Sequence, residues 1–311
     1  MIKNLKTAGI GGGTGLSTIL AGIKDFADDI TAIVTVTDDG GSSGRLRKDY
    51  NMPPPGDIRN CIVSLAEADS LMPELFQYRF KGKSSLSGHS FGNLFITAMA
   101  DITGSFAKGI LEASNILSIK GRVLPSTTEN IVLGAVFEDG SRVLGQTKII
   151  NHHGSIKEVF LDPWEPEAYP GVIKACSEAD IIILGPGSLF SSIIPNLLVK
   201  GVAHAVSKSK AVKIYICNIM TQPGETDNYK VSDHFFMVEK YLGGNIDYLI
   251  LNTAPVSGKL LTKHAAKNSY IVIDDSSSLP GRVKIIKEDI LCSKEFVRHD
   301  PKKTARVLFG L

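Results

Sequence analysis

The glycine-rich stretch AGIGGGTGLSTIL, residues 8–20, is the feature that most limits what this chain can fold into. It places four glycines around Thr14, after a short apolar segment and before a run whose apolar residues recur at helical spacing. Glycines let backbone N–H groups approach a phosphate, and the helix that follows offers its positive N-terminus. The stretch therefore predicts a strand, a phosphate-binding turn and a helix at the start of an α/β domain.

This turn matches neither of the two common glycine codes. In the dinucleotide code G-x-G-x-x-G counted from Gly11, Leu16 stands where the last glycine belongs, and the Walker A code needs a lysine that the turn lacks. The mismatch argues against an NAD or ATP site, and a tight turn without any ligand is the alternative. The ligand-binding residues that we predict in this turn are Gly11, Gly12, Gly13, Thr14 and Gly15.

Predicted strands and helices alternate along most of the chain. The β-branched segment 30–37, ITAIVTVT, is typical of a parallel strand that is buried on both faces. Further strands are predicted at 181–184, 212–218, 248–252 and 270–274, with helices at 16–26, 58–68, 91–101, 105–118, 168–179 and 233–241. Unusual polar loops follow predicted strands at 11–15, 38–60, 185–196 and 218–229. Because ligands of open α/β sheets lie beyond the carboxyl ends of strands, these loops predict one composite site.

The pattern changes between residues 120 and 165. The dipeptide Asp139-Gly140, which favours a hairpin turn, joins two predicted strands, and the segment 155–161 adds another. We therefore predict an α/β core with a mostly parallel sheet, formed by residues 1–119 and 166–311. Residues 120–165 are predicted to form a small β-rich inserted subdomain.

Charge and composition exclude several functional classes. The formal net charge of the 311 residues is +2, which is too balanced for a nucleic-acid-binding face. The longest apolar runs, such as 181–184, are too short to span a membrane, and the N-terminus lacks a signal-peptide pattern. The four cysteines are far apart in the sequence and suit a reducing compartment. We expect a cytoplasmic protein with no nucleic-acid partner and no membrane span.

The loop DDGGSSGRLRKDYNMPPPGD, residues 38–57, carries acids at both ends. Asp38 and Asp39 end the second strand, where an acid could accept from a ribose hydroxyl or help to hold Mg²⁺. Asp57 stands before a predicted helix and suits a helix cap as well as a metal ligand. Donors suited to a phosphate lie between them, at Ser42, Ser43 and Arg45. A solvated surface loop is the alternative for this segment.

The other strand-end loops add further candidates. Gly187 and Ser188 follow a buried strand in LGPGSLFSSIIPN and are suited to a second phosphate. His89 and Asn93 are four residues apart at a predicted helix start and can share a face, although a local capping role is the alternative. The remaining predicted ligand-binding residues are Asn60, Asn196, Asn218, Thr221, Gln222, Glu225 and Arg298.

Seven motifs together resemble those of the gluconeogenesis factor family, the YvcK-like proteins. This family belongs to the CofD-like superfamily, which also contains 2-phospho-L-lactate transferase. The motifs extend over nearly the whole chain and are GGGTGLS (11–17), TDDGGSSGRLR (37–47), PPPGDIRN (53–60), GHSFGN (88–93), LGPGSLFSSIIPNLLV (184–199), CNIMTQPGETD (217–227) and VRHD (297–300). The resemblance implies a Rossmann-like core with a smaller inserted domain.

The resemblance also implies a function. Gluconeogenesis factors bind UDP-sugars, support growth on gluconeogenic carbon sources and influence cell shape and wall synthesis, and no reaction is known for them. The related transferases use Mg²⁺ and a nucleotide diphosphate donor, and the counterparts of their glycine loop and strand-end acids are here Gly12–Gly15, Asp38 and Asp39. The segments GGSSGRLR and PPPGDIRN depart from the transferases and look like the gluconeogenesis factor type.

We therefore predict a regulatory protein that binds a nucleotide sugar such as UDP-N-acetylglucosamine. Expected partners are a second copy of the chain and proteins of cell-wall synthesis. The alternative is a magnesium-dependent phospho-group transferase that acts on a nucleotide diphosphate donor. In that alternative, Asp38, Asp39 and Asp57 would be the metal ligands.

Overall fold

The computed structural model describes residues 5–67, 71–292 and 296–310. Its strands are β1 (Lys6–Gly11), β2 (Asp29–Val34), β3 (Arg122–Pro125), β4 (Val132–Phe137), β5 (Arg142–Leu144), β6 (Ile156–Asp162), β7 (Ile181–Leu184), β8 (Val212–Ile216), β9 (Tyr248–Asn252), β10 (Lys284–Glu288), β11 (Leu291–Cys292) and β12 (Arg298–His299). Its α-helices are α1 (Gly13–Ile23), α2 (Gly41–Tyr50), α3 (Gly56–Leu65), α4 (Leu71–Gln77), α5 (Phe91–Thr103), α6 (Phe106–Ile116), α7 (Gln146–Ile150), α8 (Pro170–Glu178), α9 (Ile194–Leu197), α10 (Val202–Lys208), α11 (Val231–Leu242), α12 (Gly258–Ala265) and α13 (Pro301–Leu308). A π-helical turn, Leu189–Ile193, leads into α9, and a 3₁₀ turn covers Ser276–Ser278.

The central sheet has seven parallel strands in the order β10-β9-β8-β7-β1-β2-β3. The chain first builds from β1 outwards to β3 and later returns to place β7 on the other side of β1. The strand order therefore reverses between β1 and β7. This reversal is the topological switch point of a Rossmann-like sheet, where the turns after the two strands leave a crevice. The predicted α/β class with a mostly parallel sheet is confirmed.

The middle strands are apolar because both faces of the sheet are covered. Ile10 on β1 lies between Leu184 on β7 and Ile33 on β2, and these three side chains are buried. Helix α1 packs against α3 and α13, whereas α8 packs against α10, and β1 contacts both α1 and α8. Burial on both faces explains why the strands read as continuous apolar runs in the sequence. No helix in the described ranges is both long and apolar enough to cross a lipid bilayer.

A second, antiparallel sheet has the order β5-β4-β6. The turn at Asp139-Gly140 joins β4 to β5 as predicted, with Gly140 at a φ of 84°. The range predicted for the insertion, 120–165, also contains β3, which belongs to the central sheet because it pairs in parallel with β2 at the edge of that sheet. Sequence periodicity could not assign β3, since a short apolar strand reads alike in both sheets.

Two sequence predictions fail locally. Residues 41–50, predicted as loop, form helix α2. The sequence analysis missed this helix because its buried face consists of Ser42, Ser43 and Leu46, so that hardly any apolar periodicity is visible. Residues 270–274, predicted as a strand, make isolated bridges through Ile271 and Ile273 and stay outside the sheet.

The predicted helix 58–68 is α3, and its last residue, Ala68, lies outside the described residues. The sequence analysis missed further elements that are short and mixed in polarity, namely β10, β11, β12, α4, α7, α10, α12 and α13.

The two turns at the switch point touch through their backbones. A Cβ atom placed on Gly15 would lie 2.2 Å from the carbonyl oxygen of Pro186 in the turn after β7. We expect Gly15→Ala to destabilise the protein by about 1–3 kcal/mol, because a backbone carbonyl cannot move aside as a flexible side chain can. Urea unfolding followed by circular dichroism measures the change. The matched control is Gly258→Ala in α12, where nothing lies within 4 Å, and equal midpoints for the two variants would contradict the assignment.

The buried His234 on α11 predicts a dependence of stability on pH. Burial lowers the pKa of His234 from 6.5 to about 4, and its Nδ1 lies 3.4 Å from the hydroxyl of Tyr215. Between these two pH values the unfolded chain binds more protons, so the free energy of unfolding falls as the pH drops from 6.5 towards 4. His234→Gln should flatten this slope by up to about 3 kcal/mol in total. Urea unfolding at several pH values checks it, with His204→Gln at an exposed position of α10 as the control.

Candidate functional site

A cavity of about 300 Å³ lies at the switch point, beyond the carboxyl ends of β1, β7 and β8. Its walls are the turn after β1, the turn after β7, the loop after β8, and the chain around α12 and β12. The predicted ligand-binding residues that line this cavity are Gly12, Gly13, Thr14, Gly15, Gly187, Ser188, Asn218, Thr221, Gln222 and Arg298. Three of the four predicted loops therefore contribute residues to one cavity.

The start of α1 forms the floor of the cavity and has no side-chain cap. The residue before the helix, Gly12, is extended with a φ of −172° and has no side chain that could cap the helix. The N–H of Gly13 donates to the carboxyl group of Asp57 behind the turn, whereas Thr14 and Gly15 line the cavity. The hydroxyls of Ser17 and Thr18 donate to the carbonyl of Thr14, at 3.1 and 2.7 Å, and so do not compete for these N–H groups. An uncapped helix start carries a partial positive charge and open donors, which suit a phosphate.

The turn after β7 is held by the protein's own side chains. The N–H of Gly187 donates to Oδ1 of Asn218 at 3.1 Å, and Nδ2 of Asn218 donates to the carbonyl of Gly187 at 2.8 Å. Nε2 of Gln222 donates to Oγ of Ser188. The expectation that the Gly187 N–H offers itself to a second phosphate is therefore wrong for this conformation. Asn218 and Gln222 hold the wall in place, and the hydroxyl hydrogen of Ser188 is one donor that this turn keeps for a ligand.

A buried carboxylate occupies the start of the π-helical turn that follows Ser188. Oε1 of Glu225 accepts from the Ser191 hydroxyl at 2.7 Å, and the backbone N–H groups of Phe190 and Ser191 also face this carboxylate. Burial raises the pKa of Glu225 from 4.5 to about 6, against the effect of these donors. Glu225 and the buried Asn196, whose Nδ2 donates to the carbonyl of Gly11 at 3.1 Å, lie outside the cavity lining. Glu225 joins the loop after β8 to the π-helical turn, and Asn196 joins α9 to the end of β1. Gly11 is the last residue of β1 and does not line the cavity.

The far wall comes from residues that are distant in the sequence. Nε2 of His299 donates to the carbonyl of Cys217 at 3.1 Å, and burial lowers the pKa of His299 to about 4, so its ring is neutral at pH 7. His264 accepts from the N–H of Val297 through Nε2, at 3.3 Å, and its Nδ1 lies 3.4 Å from Oγ of Ser269. The exposed Arg298 brings a positive charge to the rim of this cavity.

Aromatic and cationic side chains meet beside this rim. The guanidinium of Arg298 lies 5.6 Å from the ring centre of Phe296, and the ammonium groups of Lys263 and Lys267 lie 4.0 and 5.7 Å from it. Cations over an aromatic ring are attracted to its electron-rich face. The entrance of the cavity on this side is therefore positively charged.

The other predicted residues form a separate polar cluster between α2, α3 and α5. Oγ of Ser42 lies 3.0 Å from Nδ1 of His89 and accepts from Nδ2 of Asn93 at 3.1 Å. The buried guanidinium of Arg59 donates to Oδ1 of Asn93 at 3.0 Å and to Oδ1 of Asn60 at 2.7 Å. Ser90 caps α5, and neither His89 nor Asn93 reaches the cavity. The predicted residues outside the cavity lining are Gly11, Asp38, Asp39, Ser42, Ser43, Arg45, Asn60, His89, Asn93, Asn196 and Glu225.

Asp57 lies directly behind the glycine turn, in the first turn of α3 and not at its cap. A Cβ atom on Gly12 would lie 2.7 Å from Oδ2 of Asp57, so this position must lack a side chain. The pKa of Asp57 is raised from 3.8 to about 7, chiefly because burial disfavours its charge and also because Asp38 is near. Asp57 therefore gives the turn a partly protonated carboxyl group that accepts from the N–H of Gly13 and does not line the cavity.

Of the three carboxylates predicted as magnesium ligands, Asp38 lies near Asp57, whereas Asp39 is held by another part of the chain. Oδ1 of Asp39 accepts from the N–H of Thr147 at 2.9 Å and from the hydroxyl of the same residue, which turns Asp39 towards α7. Oδ1 of Asp38 accepts from the N–H of Gly40 at 3.0 Å. Across residues 5–67, 71–292 and 296–310, no group of three or more His, Cys, Asp or Glu side chains is placed to hold a metal ion. The magnesium set is therefore not assembled in this structure.

Several cavity residues escaped the sequence analysis. His264 and Ser269 reach the site through α12 and the chain after it, and Ser192 reaches it through the π-helical turn. No local pattern distinguishes His264 from an ordinary surface histidine near a helix end. The polar run VRHD did mark the segment that contains His299.

Comparison with known proteins places this geometry in a family. The family model described as 2-phospho-L-lactate transferase CofD matches residues 8–291. A gluconeogenesis factor of Bacillus subtilis is 44% identical over 98% of this chain and 98% of its own length, and one of Halalkalibacterium halodurans is 44% identical over 99% and 96%. A crystal structure of a UPF0052 family member from Bacillus halodurans superposes with a TM-score of 0.96 at 43% identity, over 99% of this chain and 100% of that chain.

These likenesses extend over nearly the whole chain and include both the fold and the loops that form the cavity. They agree with the resemblance that the seven motifs carry. The chain belongs to the gluconeogenesis factor family, within the CofD-like proteins.

Proposed function

We propose that the cavity binds the diphosphate of a nucleotide sugar such as UDP-N-acetylglucosamine, and that the protein acts as a regulator that senses this ligand. The observation that carries the proposal is the start of α1 at the floor of the cavity, where Gly12 provides no side-chain cap and Thr14 and Gly15 line the cavity. In this proposal, the N–H groups of Thr14 and Gly15 and the hydroxyl of Ser188 hold the two phosphates. Arg298 contributes charge from the rim.

The chemistry of the walls supports binding without a reaction. Both ring nitrogens of His264 have protein partners, and the ring of His299 is neutral and bonded to a backbone carbonyl. Neither histidine is therefore ready to exchange a proton with a ligand. Thr221, Ser269 and the edge of His264 would contact the sugar or the base.

The regulatory role that we propose is inferred from the family to which the chain belongs. We propose that this cytoplasmic protein supports growth on gluconeogenic carbon sources and the control of cell shape and cell-wall synthesis, as the name of its relatives and the motif resemblance suggest. A binding protein needs partners to act, and we propose self-association and contacts with proteins of cell-wall synthesis.

Isothermal titration of the purified protein with UDP-N-acetylglucosamine tests the binding. We expect saturable, one-site heat at sub-millimolar ligand, with UMP weaker because it lacks the second phosphate. N-acetylglucosamine alone should give no heat. Absence of binding at millimolar UDP-N-acetylglucosamine would refute the proposal.

Replacing Arg298 tests the contribution of the rim. Arg298→Ala should weaken the affinity for UDP-N-acetylglucosamine about tenfold or more, because a charge-assisted contact to phosphate is lost. The control is Arg306→Ala, which removes another exposed arginine, on α13 and outside the cavity lining. Equal affinities for the two variants would place the ligand away from Arg298.

The second candidate is a phospho-group transferase, favoured by the family model and by the raised pKa of Asp57 behind the glycine turn. Protein, Mg²⁺ and UDP-N-acetylglucosamine are incubated together, and chromatography follows the release of UDP or UMP. Under the regulatory proposal no nucleotide is released. Release that disappears in Asp57→Asn or Asp39→Asn, and persists in the exposed control Asp101→Asn, would favour the transferase.

A further inference from the structure

Residues 78–91 form a compact antiparallel hairpin beside α2. Its backbone bonds join Phe91 N–H to the Tyr78 carbonyl, Phe80 N–H to the His89 carbonyl, and Gly88 N–H to the Phe80 carbonyl, each at 2.9 Å. The tip of the hairpin contains Gly82 at a φ of 100°. The hairpin presents the sequence RFKGKSS to solvent, and the cavity at the switch point does not include it.

Five exposed cations gather on this hairpin and on the neighbouring face of α2. They are Arg45, Lys48, Arg79, Lys81 and Lys83, which we call the basic patch. Within the described ranges, none of them has a carboxylate within 4.0 Å. The whole chain has 34 basic and 32 acidic residues, so five unpaired charges on one face are a local excess. Such an excess creates a positive field over that face.

Two of these arginines are held in place by backbone carbonyls. Nη2 of Arg45 donates to the carbonyl of Ser87 at 2.8 Å, and Nη1 of Arg79 donates to the carbonyl of Gly88 at 2.8 Å. A guanidinium has five N–H donors, so each fork keeps donors for a further partner. Anchoring restricts the side chains before any partner arrives, which lowers the entropy that binding must overcome.

The pKa of the nearby His89 responds to the positive charges of the basic patch. Burial lowers the pKa of His89, and the charges of Arg45 and Arg79 lower it further, while Asp49 on α2 acts in the opposite direction. Arg59 also lies close enough to Arg79 for the two charges to repel. The three arginines thus surround one short segment, 87–90, without a carboxylate in direct contact.

Apolar side chains accompany the charges. Tyr78 is 49% exposed and Leu86 is 43% exposed, and Tyr78 packs edge-on against Phe80 with ring centres 5.3 Å apart. Tyrosine and arginine together are typical of the residues that dominate protein–protein interfaces. Tyr78 and Leu86 thus give the patch an apolar component beside its charges.

We infer that the basic patch is a docking surface for an acidic segment of a partner protein. Carboxylates of that segment bind the anchored guanidinium groups of Arg45 and Arg79 in the planar fork geometry. Lys48, Lys81 and Lys83 attract the segment over a longer range, and an apolar residue of the segment packs on Tyr78 and Leu86. This surface is distinct from the proposed nucleotide-sugar cavity, so its occupation does not require the ligand.

The first experiment measures direct binding of a fluorescein-labelled peptide of Glu, Leu and Ser by fluorescence anisotropy. Lys81→Glu with Lys83→Glu should weaken binding about tenfold or more, because two attractions become repulsions. The matched control is Lys208→Glu with Lys210→Glu, which has the same spacing and the same change in net charge at another exposed site. It should change the affinity less than about twofold. Equal losses in both double variants would overturn the proposal, since they would reflect overall charge.

The second experiment identifies the natural partner. A photo-crosslinking amino acid at position 86 of the full chain is activated in cells, and the crosslinked species is sequenced. An acidic protein segment supports the proposal when its purified form binds the wild type and loses affinity for the Lys81→Glu, Lys83→Glu variant. A crosslinked lipid or nucleic acid, or binding of phosphatidylglycerol vesicles or an oligonucleotide that depends on Lys81 and Lys83, would overturn it. Titration with UDP-N-acetylglucosamine should be unchanged in this variant, which separates the surface from the cavity.

Discussion

The contact between two backbone turns at the switch point is the constraint on which the site depends. Gly15 lies against the carbonyl of Pro186 so closely that a single added carbon would collide with it. This contact brings the ends of β1 and β7 together and leaves the cavity between the loops that follow them. A Rossmann-like strand order creates the crevice, and the absence of a side chain at Gly15 lets the turns approach each other.

The two glycine turns play different parts although their sequences look alike. The turn after β1 leads into a helix without a cap from the residue before it, and Thr14 and Gly15 at the start of this helix line the cavity. The turn after β7 is satisfied internally, because Asn218 takes both polar groups of Gly187 and the carboxylate of Glu225 faces the first turn of the next helix. Two N–H groups of that turn, of Phe190 and Ser191, face the Glu225 carboxylate, whereas at α1 the N–H of Gly13 faces the partly protonated carboxyl group of Asp57. The open donors are therefore concentrated at α1, and the second turn serves as a rigid wall.

Charge is distributed in a way that suits recognition of an anion. Buried or half-buried carboxylates lie behind the loops, at Asp57 and Glu225, and burial raises the pKa of both. Cations lie in front, at Arg298 beside the cavity and on the separate basic patch around Arg79. The raised pKa of Asp57, about 7, reduces the negative charge behind the glycine turn at neutral pH, which favours an anionic ligand in the cavity. The structure thus suits a protein that binds one anionic ligand and presents another charged surface to a partner.

The sequence by itself determined the fold class, the parallel strands and the opening strand–turn–helix unit. These depend on patterns within about ten to fifteen residues, such as the apolar run at 30–37 and the glycines before α1. The tertiary structure alone decided which polar residues face the cavity and which hold the loops. Asn218 meets Gly187, Glu225 meets Ser191, and Asp39 meets Thr147, each across a separation that no local pattern encodes. A polar side chain that follows a strand looks the same in the sequence whether its partner is a ligand or the protein's own backbone. The difference is set by distances that exist only after the chain has folded, because each buried donor and acceptor must then find a partner.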